Sequence, residues 1–353
     1  ESYLEYTFPA TATYIIGVSG YANISYNPVT GAGDTSGSTG AYVLTVSQRV
    51  ASLSAGTLSV LTTSEPDTIA LSVSGGNVVV TVNGITNEFP DAAVSQISIA
   101  SLTNGDSLSI TSAGDNAVTA SSGAGAAVAV ALSGTSTVTL GGGDYTVTTD
   151  ASGGTSLTVN DASAAFAGPQ RFAALNLSGT ATAAAQMGGH VIRTNSLLIG
   201  PTVQLDLKDN GLIVDYAEGF PSPLGTIRAW IVSGWNNDGF NGFGIISSLA
   251  SFDGPVVGYA ESSVATGMPE GGFFMDQPVD GTAILVRCVR YGDANLDGYV
   301  NFFDLLRLAQ NYTLTGKHWH DGDYRLYDQR VNINDLLRLA QNYNTTPADN
   351  VFG

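Results

Sequence analysis

Thr135 to Asp161 reads TSTVTLGGGDYTVTTDASGGTSLTVND. Three short runs, TSTVTL, DYTVTT and TSLTVN, alternate small polar residues with Val, Leu or Tyr, and clusters of Gly, Ser and Asp separate them. Alternation is the period of a strand with one buried face, and the Gly-rich breaks read as turns. Evenly spaced strands with so little side-chain volume suit a stacked β-solenoid or an extended β-sandwich. Each rung buries little, so the stack needs its neighbours.

The same texture fills residues 111–200, where ALNLSG is a further strand. In residues 48–110, SGGN at Ser74–Asn77 predicts a hairpin, and Asn83-Gly84 begins another turn. Asp67 and Asp106 each precede a short alternating strand and read as strand-edge turns, too diluted for a calcium-binding roll. Residues 1–47 alternate around an Asn/Gly/Ser-rich loop. Residues 201–290 carry longer aromatic-bearing segments, and VQLDLKDNGLIVDY predicts a hairpin turning at Asn210-Gly211. Trp230, Trp235, Phe240 and Phe243 admit two readings: a stacking platform for a glycan, or rings that cap the end of the stack.

Charged residues make up 12% of the 353, Gly numbers 43, and the formal net charge is −18. The composition is that of a mainly β protein with many turns. With no basic stripe to neutralise phosphates, nucleic acid is excluded as a partner, whereas divalent cations are attracted. The single cysteine, Cys288, lies in AILVRCV and reads as a small buried hydrophobe on a strand. The longest apolar stretch, Ala124 to Leu132, is far too short to span a bilayer, so no membrane insertion is expected. The chain opens on Glu1 in mid-pattern and reads as a fragment or processed form. His190 reads as structural, and the His318-x-His320 segment as a linker.

The end of the chain says nearly the same thing twice. NFFDLLRLAQNY at Asn301–Tyr312 returns as NINDLLRLAQNY at Asn332–Tyr343. These are the only clear helices, expected to bury Leu305, Leu308, Ala309 and Tyr312, and their twins Leu336, Leu339, Ala340 and Tyr343. Before the first copy, Asp293, Asn295, Asp297, Gly298, Tyr299, Asn301 and Asp304 fall at the first, third, fifth, sixth, seventh, ninth and twelfth loop positions of an EF-hand. A hard cation wants six to eight oxygens, and alternate side chains of a tight loop converge on one point. Tyr299 would add its carbonyl, and Asp304 would close the shell from the helix. In the second lead, counting back from Asp335 puts Tyr324 at the first position and Asp323 one residue early. Gln329 stands where Gly is wanted. Asp328, Asn332 and Asp335 stay in phase, with Asp323 a ligand only if the loop bulges. The expectation is calcium in the first loop and a weak or empty second loop.

This duplicated loop–helix, over about residues 291–344, resembles the type I dockerin family, a calcium-binding module that docks on cohesin domains. The resemblance implies partner contacts at Phe302, Phe303, Leu306 and Arg307, and at Ile333, Asn334, Leu337 and Arg338. These positions lack the small hydroxyl residues common in cellulosomal dockerins. YTF…TYIIGVSGY…AYVLTVS resembles the end of a pre-peptidase C-terminal β-sandwich. LDLKDNGLIVDY followed by FNGFGIISS resembles a module of planctomycete-type secreted and cell-surface proteins.

The expected organisation is therefore mainly β. It runs from a sandwich fragment (1–47) and a solenoid or sandwich body (48–200), through an aromatic-bearing β module (201–290), to a small α-helical EF-hand-like dockerin (291–344) and a flexible tail (345–353). The expected function is that of a non-catalytic, secreted or cell-surface protein docking on a cohesin-like protein or cell-envelope component. The alternatives are a glycan-binding module, with a polysaccharide as partner, or the C-terminal portion of a polysaccharide hydrolase or lyase whose catalytic domain is missing here. Glu65, Glu88, Glu218, Glu261 and Glu270 are scattered, and no paired carboxylates, nucleophile elbow or zinc motif stand out.

Overall fold

The computed structural model describes residues 47–346 other than 326 and 327, with Asn27, Val29, Thr30, Ala32 and Gly33 ahead of them. The chain divides into two compact units, Glu1–Gln48 and Arg49–Gly353. The sandwich expected over 1–47 and the tail expected over 345–353 fall almost wholly outside the described residues.

The body is a β-solenoid of about six turns, and its strand register decides against a sandwich. On one face the parallel neighbours run Thr57–Val60, Gln96–Leu102, Ala117–Ser122, Ser136–Gly141, Thr155–Asn160, Ala174–Ser178 and Leu197–Ile199. Most steps from one strand to its neighbour are about 20 residues, one coil of a solenoid. Leu58, Ile97, Val118, Val138, Leu157 and Leu175 stack in register along this face, all buried. The second face stacks Ile69, Leu108, Val130, Val147 and Phe166 in the same way. The alternation legible in the sequence is thus the inward half of each rung. From Gln170–Phe172 onward the coils gain a third face, continued by Val191–Thr194 and Gly211–Asp215.

Acidic and amide side chains cap the corners. Asp67 accepts Thr63 N–H and Asn83 Nδ2–H, each at 2.7 Å, and its own N–H donates to Asp106 Oδ1 on the next rung at 2.7 Å. Asp106 in turn accepts Thr103 N–H at 2.7 Å. Both carboxylates are buried and hydrogen-bonded, which is the turn role read from sequence. The SGGN hairpin forms between Thr68–Ser74 and Asn77–Val82, and the Asn83-Gly84 turn leads into Ile85–Pro90.

Two expectations fail here. Asn210-Gly211 is not a hairpin turn: Gln204–Asp206 lies in the second face and Gly211–Asp215 in the third. Asn210 is a buried corner residue whose Oδ1 accepts His190 N–H of the previous rung at 2.7 Å. The local turn signal is overridden by stacking on that rung. Nor are the helices confined to the tail. Leu224–Trp235 is a helix, α1, burying Ile227, Ile231, Gly234 and Trp235. It lies on the last strand of the second face, Gly244–Ile246, so closely that a Cβ on Gly244 would stand 2.1 Å from the Trp230 carbonyl oxygen.

The third face is closed by two long antiparallel strands. Ala283–Arg290 pairs with Gly211–Asp215, and Pro255–Glu261 pairs with Ala283–Arg290. A short turn of helix, α2, spans Ser262–Ala265. Cys288 is buried, and burial pushes its thiol up to about 12, so it behaves as the packed hydrophobe expected. Beyond Arg290 come two helices, α3 (Phe302–Asn311) and α4 (Ile333–Asn342).

Candidate metal centre

Each tail helix begins in the same way. Asn301 caps α3 by accepting Phe303 N–H at 2.8 Å, while Asp304 Oδ2 accepts Asn301 N–H at 2.8 Å. In α4, Asn332 accepts Asn334 N–H at 2.9 Å and Asp335 Oδ2 accepts Asn332 N–H at 2.9 Å. These are capping boxes in which Asp does the work more often given to Glu. The other oxygen of each Asp reaches back to the start of its loop. Asp304 Oδ1 accepts Ala294 N–H at 2.9 Å, and Asp335 Oδ1 accepts Tyr324 N–H at 3.0 Å.

That second pair of bonds fixes the alignment of the loops. Tyr324 takes the place of Ala294, so Asp323 takes the place of Asp293. Counting back from Asp335 therefore puts the wrong residue first. The extra residue of the second loop falls after Tyr324, where Arg325 N–H also reaches Asp335 Oδ1, at 3.3 Å. Gln329 adopts the left-handed conformation, φ 51°, where Gly298 has φ 91°. The turn that Gln was expected to disfavour is made nonetheless. A sequence signal for the alignment exists: Gly-Asp opens both leads, at Gly292-Asp293 and Gly322-Asp323.

In the first loop, Asp293 Oδ2 accepts Gly298 N–H at 2.8 Å, and Asp297 Oδ1 accepts Tyr299 N–H at 2.8 Å. Asn295 Nδ2 donates to Asp297 Oδ2 at 2.8 Å. Asp293, Asp304, Asp323 and Asp335 are all fully buried. Burial, then the charges of Asp304 and Asp297, hold the Asp293 carboxyl well above the usual range. Burial raises Asp304 to about 6, against the pull of N–H groups from Asn301 and Ala294. Asp335 is raised as well, by burial first and Asp328 in part. In the second loop Asp328 accepts Arg330 N–H at 3.2 Å and Asn332 Nδ2–H at 3.3 Å.

Among the described residues no three His, Cys, Asp or Glu side chains stand together as a metal-ligating group. The donor chemistry still fits a hard divalent cation. The first loop offers only oxygen ligands, from Asp293, Asn295, Asp297, Asn301, Asp304 and the Tyr299 carbonyl. Asp304 and Asp297 hold the buried Asp293 carboxyl up, which is the electrostatic condition that a cation relieves.

The two halves lock into each other. A Cβ on Gly292 would come 2.9 Å from Leu339 Cα in α4, and one on Gly322 would come 2.9 Å from Leu308 Cα in α3. Val300 N–H donates to Thr345 at 3.1 Å, and Thr313 N–H donates to Val331 at 2.8 Å. Between the halves lies Tyr324, fully buried, its hydroxyl donating to the Gly292 carbonyl at 3.1 Å. Its phenol is pushed far up by burial and then by Asp304, Asp293 and Asp335.

The segment read as a linker is no linker. Trp319, in a short 3-10 turn over Trp319–Asp321, is fully buried, stacks edge-on against Tyr324 at 5.0 Å, and donates Nε1–H to the Asp293 carbonyl at 2.7 Å. His318 Nδ1 meets the Tyr259 hydroxyl at 3.2 Å. Sequence reasoning missed Trp319 because the polar residues around it mask a lone ring.

Of the residues assigned to partner contact, Phe302, Phe303, Leu306, Ile333, Asn334 and Leu337 are exposed, Phe303 at 67% and Ile333 at 62%. Arg307 and Arg338 turn to the body instead. Arg307 Nη2 donates to the Val264 carbonyl at 2.6 Å, and the Arg338 guanidinium lies over the Phe252 ring at 4.0 Å and beside Asp253 at 3.6 Å. Leu308 and Leu339 are buried as expected, but Ala309, Tyr312, Ala340 and Tyr343 are exposed, because the halves meet on a narrower stripe. Of the candidate glycan platform, Trp235 is buried, Trp230 and Phe240 are packed on the core, and Phe243 is exposed. No family model, no curated protein and no solved structure matches the chain.

Proposed function

We propose that this is a non-catalytic, secreted or cell-surface solenoid protein whose tail binds calcium and docks on a partner protein. The observation that carries the reading is the doubled, capped loop–helix with apolar side chains left in solvent at equivalent places: Phe302 and Ile333, Leu306 and Leu337. A folded protein keeps large apolar groups at matched exposed positions at a cost in solubility, and such patches mark interaction sites. The resemblance to dockerins points to a cohesin-like protein or a cell-envelope component. The calcium ligands would be Asp293, Asn295, Asp297, Asn301, Asp304 and the Tyr299 carbonyl, with Asp323, Asp328, Asn332 and Asp335 in the second loop. The ion would supply positive charge to the buried carboxylates Asp293 and Asp304. Only Phe243 of the four rings at 230–243 is free to stack, so the glycan reading has less support.

The test is capture from cell-envelope and secretome extract by the immobilised chain, with calcium and with chelator. The expected result is a protein held only with calcium and lost in Phe303→Ser/Leu337→Ser. Capture that ignores both chelator and the double substitution would overturn the reading.

A further inference from the structure

The body strand Pro255–Glu261 has a notch. Gly258 sits under the Trp319 ring, and a Cβ there would come 2.7 Å from both Cε2 and Nε1 of Trp319 and 2.8 Å from Leu296 Cδ2. Leu296 is the fourth residue of the first loop and is buried. Its carbonyl accepts Arg287 Nη1–H at 3.3 Å, from the neighbouring body strand. Gly258 and Arg287 stand opposite each other in the antiparallel pair. Trp319, pressed into the notch, donates to the Asp293 carbonyl at 2.7 Å. One cross-strand pair of the body thus grips the first loop at Leu296 directly and at Asp293 through Trp319.

We propose that Gly258, Arg287 and Trp319 are positioning residues that couple cation occupancy of the first loop to closure of the last two body strands. None of the three is a ligand. The coupling rests on the calcium reading above. It runs both ways, because a change in the body that disfavours the liganded loop must weaken ion binding by the factor with which the ion steadies the body. Gly258→Ala pushes the ring and Leu296 out of place, since the notch is walled by a rigid buried indole. Trp319→Phe keeps an aromatic ring there, but removes the bond to Asp293 and the ring atoms seated in the notch. Arg287→Gln removes the bond to Leu296.

The experiment uses the full chain. Calcium affinity is measured by calorimetry, and hydrogen exchange is followed in residues 255–261 and 283–290 with calcium and with chelator. Calcium is expected to slow exchange in both strands by about tenfold. Gly258→Ala and Trp319→Phe are expected to weaken calcium binding at least about fivefold, with Arg287→Gln showing the same direction. Phe273→Ala, at an exposed body residue, should change neither quantity. Unchanged affinity in Trp319→Phe and Arg287→Gln, or strand exchange indifferent to calcium, would overturn the coupling and leave the calcium reading standing. A full chain that takes up no calcium would overturn both.

Discussion

The two tail repeats share the run Asp304–Tyr312, repeated unchanged at Asp335–Tyr343, and differ in how they are entered. The first loop follows directly from a solenoid strand, Ala283–Arg290, so its opening Asp293 inherits a fixed position. The second is entered from the short turn Trp319–Asp321, and has no strand to hold it. It carries one more residue and a Gln at the left-handed turn, and Asp328, Asn332 and Asp335 still accept the backbone hydrogen bonds that Asp297, Asn301 and Asp304 accept in the first. The difference teaches that these loops are built from their ends inward. The helix-capping Asp reaches back to fix the first turn, and slack is absorbed between.

If the halves are equivalent locks, Gly292→Ala and Gly322→Ala should cost alike. Each places a Cβ against the opposite helix at a positive φ, 105° and 109°. Each loss should be about 3 kcal/mol, from overpacking and backbone strain together. Urea denaturation of the two variants checks this, and a loss confined to one would break the equivalence. A smaller effect sharpens the contrast. Gln329→Gly should raise stability by about 1 kcal/mol, because a side chain in the left-handed region is strained and Gly is not. An unchanged urea midpoint would mean the second loop relieves that strain elsewhere.

A third effect is a pH dependence carried by a histidine at the entry to the second repeat. His320 is held down to about 4, by burial first, against the pull of Asp321. Unfolded, it takes up a proton near its ordinary 6.5; folded, only near 4. The unfolded state therefore binds more protons in that window, and stability is lost as pH falls from about 6.5 towards 4. His320→Gln should flatten this part of the profile relative to the parent chain. Identical midpoint shifts between pH 7 and pH 5 in both proteins would count against it.

Much of this was legible in the sequence. The inward residues of each rung, such as Val138, Leu140, Leu157 and Val159, follow from alternation alone. The hairpins at Gly75-Gly76 and Asn83-Gly84 follow from turn chemistry. What was not legible depends on distant neighbours. Asn210-Gly211 has the local chemistry of a hairpin but answers to the previous rung. α1 did leave a signal, Ile227, Ile231 and Gly234-Trp235 at helical spacing, hidden among residues that also suit strands. In the candidate site, the first loop's donors could be read by position. The second loop's alignment left a sign in the Gly-Asp that opens both leads, but an insertion defeats a count made from one end. Gly258 and Trp319, far apart in sequence, gave no sign of meeting.

The notch at Gly258 has a consequence for how such chains can diverge. A module joined by a loose tether can be moved by recombination onto an unrelated partner and keep its fold. Here the socket and the plug are written in separate stretches of one chain. Grafting the tail onto a foreign sheet would leave the indole without a seat, and a socket without its plug would open a groove onto the core of the solenoid. The two segments are expected to be inherited together, with Gly at the socket drifting only when the plug shrinks.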